Sequence, residues 1–269
     1  MFSFAAVPVK FVGLFVLFAW CTVWSVYELT RPQSGRQRVS NALHLAMAVA
    51  MLLMVARPTW MGLTAIIPLW VLVGFFAFSV FWFAGLGLRA FVAAQRKAGW
   101  HFAGHATMFA AMAWHLAAMA VMRPLHDAMM PARQPGGVLW WFAVAGVPLM
   151  AYLLAASVRA LRSAVAGGVA GGAAGATASD CCGGTCSCGS DCTCGLPRPA
   201  LDAALPAGGG LALAAPAVQV AASCHEVRPV GSPKYRMAAW SDVAMNFGMF
   251  WMSTGIMVPL LPFFASLSF

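Results

Sequence analysis

Long apolar runs separated by short, mostly basic segments make up this chain, and the runs predict its elements. A helix needs about 20 apolar residues to cross roughly 30 Å of hydrocarbon. Six stretches approach that length: 5–27, 39–56, 61–88, 102–122, 138–158 and 239–263. The expected fold class is therefore an all-α membrane protein with about six transmembrane helices. The first stretch has Lys10 as its one early charge, and Trp20, Cys21 and Trp24 stand where small cleavage-site residues would be. It is expected to be a retained helix and not a signal peptide. Between Ala164 and Pro233 the apolar pattern stops and the chain turns to Gly, Ala, Pro and Ser, with a Gly/Ala tract over 167–175. That composition is a flexible insert. The expected organisation is helices one to five over 1–163, an insert over 164–236 and a sixth helix over 237–269.

Composition agrees: 62% hydrophobic and 9% charged residues leave too little polar surface to cover a soluble fold. The net charge of +9 raises the question of nucleic acid. The basic residues sit in loops beside apolar helices, without a basic domain or recognition motif, so nucleic acid is not an expected partner. Twelve of the sixteen follow odd-numbered helices: Arg31, Arg36, Arg38, Arg89, Arg96, Lys97, Arg159, Arg162, Arg198, Arg228, Lys234 and Arg236. Lys10, Arg57, Arg123 and Arg133 belong to the other side. By the positive-inside rule the expected location is the cell membrane, multi-pass, with both termini outside and the insert cytoplasmic. Trp60, Trp100, Trp140, Trp141 and Trp240 then fall near helix ends as interfacial anchors.

Laying the second, fourth and sixth helices over one another exposes a repeat. They read His44-x2-Met47-x3-Met51-x2-Met54, His105-x2-Met108-x3-Met112-x2-His115 and Asp242-x2-Met245-x3-Met249-x2-Met252. Eight of the nine positions at offsets three, seven and ten are Met. Each set covers an arc of roughly 80° on one helix face and a length of about 15 Å. Even-numbered helices run the same way through a membrane, so equivalent positions can share a depth. The expected layers are His44, His105 and Asp242, then Met47, Met108 and Met245, then Met51, Met112 and Met249, then Met54, His115 and Met252. Helices one, three and five become outer partners of three helical hairpins, a three-fold pseudo-repeat in one chain. Ordinary core packing also places Met at spacings of three and four. Three stripes in one register, headed by ionisable groups inside a membrane, favour a functional reading.

Thioethers are soft, neutral ligands that suit Cu(I) in a medium where permanent charge is costly. The pairs Met47/Met51, Met108/Met112 and Met245/Met249 resemble the methionine triads of Ctr-type copper transporters, in which three subunits each contribute a Met-x3-Met helix. This chain departs from them by carrying all three helices in one polypeptide and by lacking a Met-rich tail. The resemblance implies Cu(I) as the ion and transport as the activity. The stretches from His44 to Met54 and from His105 to Met122 also resemble actinobacterial polytopic membrane proteins with His-x2-Met-x3-Met helices and Ala/Gly-rich linkers, which implies the membrane architecture alone. Met119, Met122 and Met257 extend the stripes outward. His101 and His126 lie near helix ends and read as interfacial, and Met61, Met129 and Met130 lie near the outer surface.

Inside the insert stand Cys181, Cys182, Cys186, Cys188, Cys192 and Cys194, six thiols spaced CC-x3-C-x-C-x3-C-x-C. Soft thiolates in a reducing compartment bind Cu(I) or zinc, and the Cys-x-Cys spacing resembles metallothioneins. Disulfides would need the insert to face an oxidising compartment. Cys224 and His225 could add ligands, whereas Cys21 reads as an inert core thiol.

The leading functional expectation is copper handling, with the Met/His/Asp core binding or conducting Cu(I) and the Cys insert accepting it or passing it to a metallochaperone or membrane partner. The alternatives are a haem-binding electron-transfer protein using His44, His105 and His115, and a non-catalytic assembly subunit. No paired carboxylates, phosphate-cradling loop, Ser/His/Asp set or zincin helix supports an enzyme. Asp242 is expected to be the one acidic residue at a helix entrance facing the core.

Overall fold

The computed structural model describes residues 8–123, 134–166 and 232–267. Seven α-helices and one short 3₁₀ turn account for them: α1 (Pro8–Leu29), α2 (Gly35–Val55), α3 (Arg57–Ile66), α4 (Leu69–Val92), α5 (Arg96–Met122), α6 (Val138–Ala166), α7 (Pro233–Met257) and the 3₁₀ turn Pro262–Leu267. The chain divides into two units, Met1–Gly171 with Ala221–Phe269, and Gly172–Val220. The second unit, with the whole Cys181–Cys194 cluster, lies outside the described residues, as do Cys224, His225, His126, Met129 and Met130.

Five helices are long and apolar enough to cross a membrane: α1, α2, α4, α5 and α6, the last over Val138–Val165. The protein is an all-α, multi-pass membrane protein. Large apolar side chains on α4, such as Phe78 and Phe81, are exposed on the outside of the bundle, where lipid replaces water as their solvent. One sequence expectation needs correction, and another is met in length but not in apolarity. The third stretch, expected as one helix over 61–88, is broken: Pro68 has no N–H and disfavours helical backbone in the residue before it, and Ile67 is extended (φ −112°, ψ 113°). A short α3 therefore precedes α4. The sixth expected span, α7, has 25 residues, enough length at about 1.5 Å per residue, yet it does not reach the apolarity of the other five. Lys234, Arg236, Ser241, Asp242, Asn246, Ser253 and Thr254 are the cause. Ser241, Asn246, Ser253 and Thr254 are buried against protein, where polar groups find partners that lipid cannot supply.

Packing follows the chain in pairs: α1 on α2, α4 on α5 and α6 on α7, with α1 and α5 also lying against α7 and α5 against α6. Local chemistry sets the turns. Ser34 caps α2 in a reciprocal box with Gln37. Between α4 and α5, Ala94 adopts φ 57°, and the Gln95 and Ala94 amides donate to the Ala90 and Phe91 carbonyls at 2.9 and 3.0 Å. This is a Schellman termination with Ala where Gly is the usual residue. Close approach of α1 to α7 is possible because Gly248 leaves room for Phe18. The Trp114 indole of α5 donates to the Phe142 carbonyl of α6 at 2.9 Å.

Candidate functional site

Methionine is flexible and polarizable, and its burial inside a bundle is the starting point for the site. All eight ladder methionines are buried: Met47, Met51 and Met54 on α2, Met108 and Met112 on α5, and Met245, Met249 and Met252 on α7. They belong to one continuous apolar cluster, walled by Leu14 and Phe18 of α1, Phe76 and Phe83 of α4, and Leu153 of α6. The three stripes thus reach a shared core, and their partners α1, α4 and α6 supply its other walls.

The two ends of the ladder differ in chemistry. At the end where α2, α5 and α7 begin, a cavity of about 280 Å³ is lined by Trp24, Ser25, Glu28, Asn41, His44, Ala160, Ser163, Tyr235, Ala238, Ala239, Ser241, Asp242 and Met245. It brings together His44 and Asp242, expected in one layer, with Met245, expected in the next, while His105 of the first layer is not part of its lining. It also contains Glu28, a buried residue of α1. The expectation that Asp242 alone among the acidic residues faces the core is therefore corrected. Glu28 sits at the end of an apolar run, where its burial depends on packing against α7 and leaves no signature in its neighbours. At the opposite end a second cavity, about 160 Å³, is lined by Met54, His115, Met119, Met122, Met252, Gly255 and Ile256. Four thioethers and an imidazole surround it. Met54, His115 and Met252 share the same ladder offset, so the register of the three helices matches at this end too.

The histidines are fixed by hydrogen bonds. His44 is buried and bonds through Nδ1 to the Ser40 carbonyl at 2.7 Å and through Nε2 to Nδ1 of His105 at 3.0 Å. His105, half-buried, bonds through Nε2 to Nε2 of His101 at 3.2 Å. His101 thus joins the site, where the sequence reading leaves it as an interfacial residue. The i to i+4 spacing of His101 and His105 was the available signal. His115 is buried, and its Nδ1 lies 2.9 Å from the Ser253 hydroxyl of α7. At the next residue of α7, the buried Lys10 ammonium donates to the Thr254 hydroxyl at 3.0 Å. Sequence counting places Lys10 among the outer charges, whereas its side chain is held inside the bundle. Asp242 is exposed at the rim of the first cavity. Cys21 is buried, with Sγ 3.6 Å from the Ser241 carbonyl, in keeping with an inert core thiol. Met61 is exposed on α3.

Among the described residues no group of three His, Cys, Asp or Glu side chains converges on a metal position.

Residues 36–254 match the family described as Domain of unknown function (DUF5134). The chain belongs to the DUF5134 family. The matched span runs from the first turn of α2 almost to the end of α7, so every ladder position from His44 to Met252 lies within it, while α1 lies outside. No match was found among curated proteins or among solved structures.

Proposed function

We propose that this DUF5134 protein handles Cu(I), binding it in the bundle core and passing it along the methionine ladder between the two end cavities. The observation that carries the reading is the burial of eight thioethers, from three helices, in one cluster that joins both cavities. Neutral soft donors suit a monovalent soft cation in a low-dielectric medium better than any hard ion. Glu28 and Asp242 at the wider cavity attract a cation, and Met54, Met119, Met122, Met252 and His115 at the narrower one suit its capture or release. In this reading α7 crosses the membrane as the sixth span, the termini are outside, and the cytoplasmic thiols of Cys181–Cys194 buffer the ion as Cu(I) or zinc thiolates and exchange it with a metallochaperone or membrane partner. No chemical transformation is assigned to the bundle.

A haem iron shared by His44 and His105 would need those rings on opposite sides of a macrocycle. Their nitrogens stand 3.0 Å apart, which leaves it no room. The remaining haem reading is separated by an absorption spectrum of the purified protein, since Cu(I) has a closed shell and gives no Soret band.

The decisive experiment replaces Met51, Met112 and Met249 together with Leu in a background where the six cluster cysteines are Ser. Leu roughly conserves volume, so the fold should survive at a cost under about 1.5 kcal/mol per site. Copper per chain after copper-supplemented expression should fall to the level of a copper-free control. Retention equal to that of the methionine-bearing parent would reduce the ladder to core packing.

A further inference from the structure

Three imidazoles in a row connect an exposed face of α5 to the wall of the wider cavity. His101 is exposed, His105 half-buried and His44 buried, and their nitrogens are linked at 3.2 and 3.0 Å. The last link determines the direction of every proton. The Ser40 carbonyl can only accept, so His44 carries its proton on Nδ1, and its Nε2 is an acceptor in the neutral ring. His105 must then donate from Nδ1 to His44 and accept at Nε2 from the Nε2–H of His101. One consistent set of tautomers satisfies the whole chain, a property of a wire and not of a converging ligand set.

We propose that His101, His105 and His44 form a proton relay between the surface of α5 and the cavity bounded by Glu28 and Asp242. A proton arriving at Nδ1 of His101 makes an imidazolium. Its Nε2–H bond breaks as that proton bonds to Nε2 of His105. The Nδ1–H bond of His105 breaks as its proton bonds to Nε2 of His44. One proton enters and one is gained at His44. His101 and His105 end neutral in the opposite tautomers, and no electron moves. The reverse sequence returns the proton to the surface. Around His44, α1 contributes Glu28, α5 contributes His105 with His101 behind it, and α7 contributes Tyr235 and Asp242. The facing residues of α4 and α6 are uncharged: Phe83 from α4, and Ala160 and Ser163 from α6. His44 is thus a site where the relay gains and returns a proton, in the wall of the carboxylate-lined space. The relay itself does not require that the ion be copper or that the ladder bind metal.

The test is solid-state NMR of the full-length protein, labelled with ¹⁵N-histidine, in lipid bilayers without added metal. Exchange of the His44 ring proton with water should slow by about a hundredfold or more in His101→Ala, the range that one positioned proton-transfer group contributes. Added imidazole should restore it, because an exposed vacancy at His101 can admit a free ring. His105→Gln, which keeps a hydrogen-bonding side chain but cannot pass a proton, should slow exchange as well. Trp100→Phe, beside the relay on the same turn, should leave it unchanged. Wild-type exchange at His44 in either histidine variant would mean that cavity water serves His44 directly, and the relay would be refuted. Slowed exchange in His101→Ala without imidazole rescue would also overturn it, by assigning His101 a structural role.

Discussion

A glycine and a lysine show how much rests on single contacts between α1 and α7. A Cβ at Gly248 would stand 2.5 Å from Cε1 of Phe18, and Phe18 is fully buried with no space to retreat. Gly248→Ala is expected to destabilise the protein by about 1–3 kcal/mol, visible as a lower unfolding midpoint in detergent. Lys10 tests a different balance. Its ammonium is buried and donates to Thr254. Removing the acceptor alone in Thr254→Val should cost about 1.5–3 kcal/mol, the range for hydrogen bonds to charged groups. Lys10→Met removes the charge together with its desolvation cost, so in that background Thr254→Val should lose most of its effect. Equal effects of Thr254→Val with and without Lys10 would show that the hydroxyl acts through something other than the ammonium. Neither residue announces this in the sequence: Gly248 is one of 26 glycines, and Lys10 looks like an interfacial charge until α7 is placed beside it.

Helix ends were harder to foresee than helix faces. The stripes of three and four were legible because side-chain direction follows the helical period wherever the helix sits. The turn from α4 to α5 was not, because its left-handed position is filled by Ala94 in place of Gly. An L-residue there carries strain of roughly 1–2 kcal/mol. Ala94→Gly should therefore stabilise the protein by about 1 kcal/mol, raising the unfolding midpoint; an unchanged or lower midpoint would mean that Ala94 is not strained. The break at Ile67 and Pro68 was written in the chain, yet the unbroken hydrophobicity on either side hid it. The metal-binding proposal for the Cys insert is tested on the segment alone. A peptide spanning 178–196 should develop thiolate-to-copper charge-transfer absorption when titrated with Cu(I) under reducing conditions. Failure to do so would remove storage or delivery from the insert.

At the scale of the whole molecule, the bundle has a basic end with a carboxylate cavity and an opposite end with a methionine cavity. Under the proposed topology, which puts the basic end inside, the first faces the cytoplasm. An impermeant maleimide should therefore leave Cys181–Cys194 unmodified in intact cells and label them after lysis. Labelling from outside would reverse the orientation and undercut a thiolate cluster in a reducing compartment. The membrane class and the register of the ladder could be read from one dimension, since span length, composition and helical period are properties of a segment on its own. Pairing of α1 with α2, α4 with α5 and α6 with α7 was also foreseeable, because successive membrane helices must reverse direction. Which polar groups enter the core was not. Glu28 and Lys10 are placed by partners far away in the chain: Glu28 by the walls of a cavity shared with α7, and Lys10 by Thr254. α7 is less apolar than the other five long helices because polar side chains along it are buried against protein. Local pattern determined which helix faces are apolar. The tertiary structure alone decided which charges and imidazoles meet, because burial and hydrogen bonding are properties of pairs of segments, and a single segment carries no record of its partner.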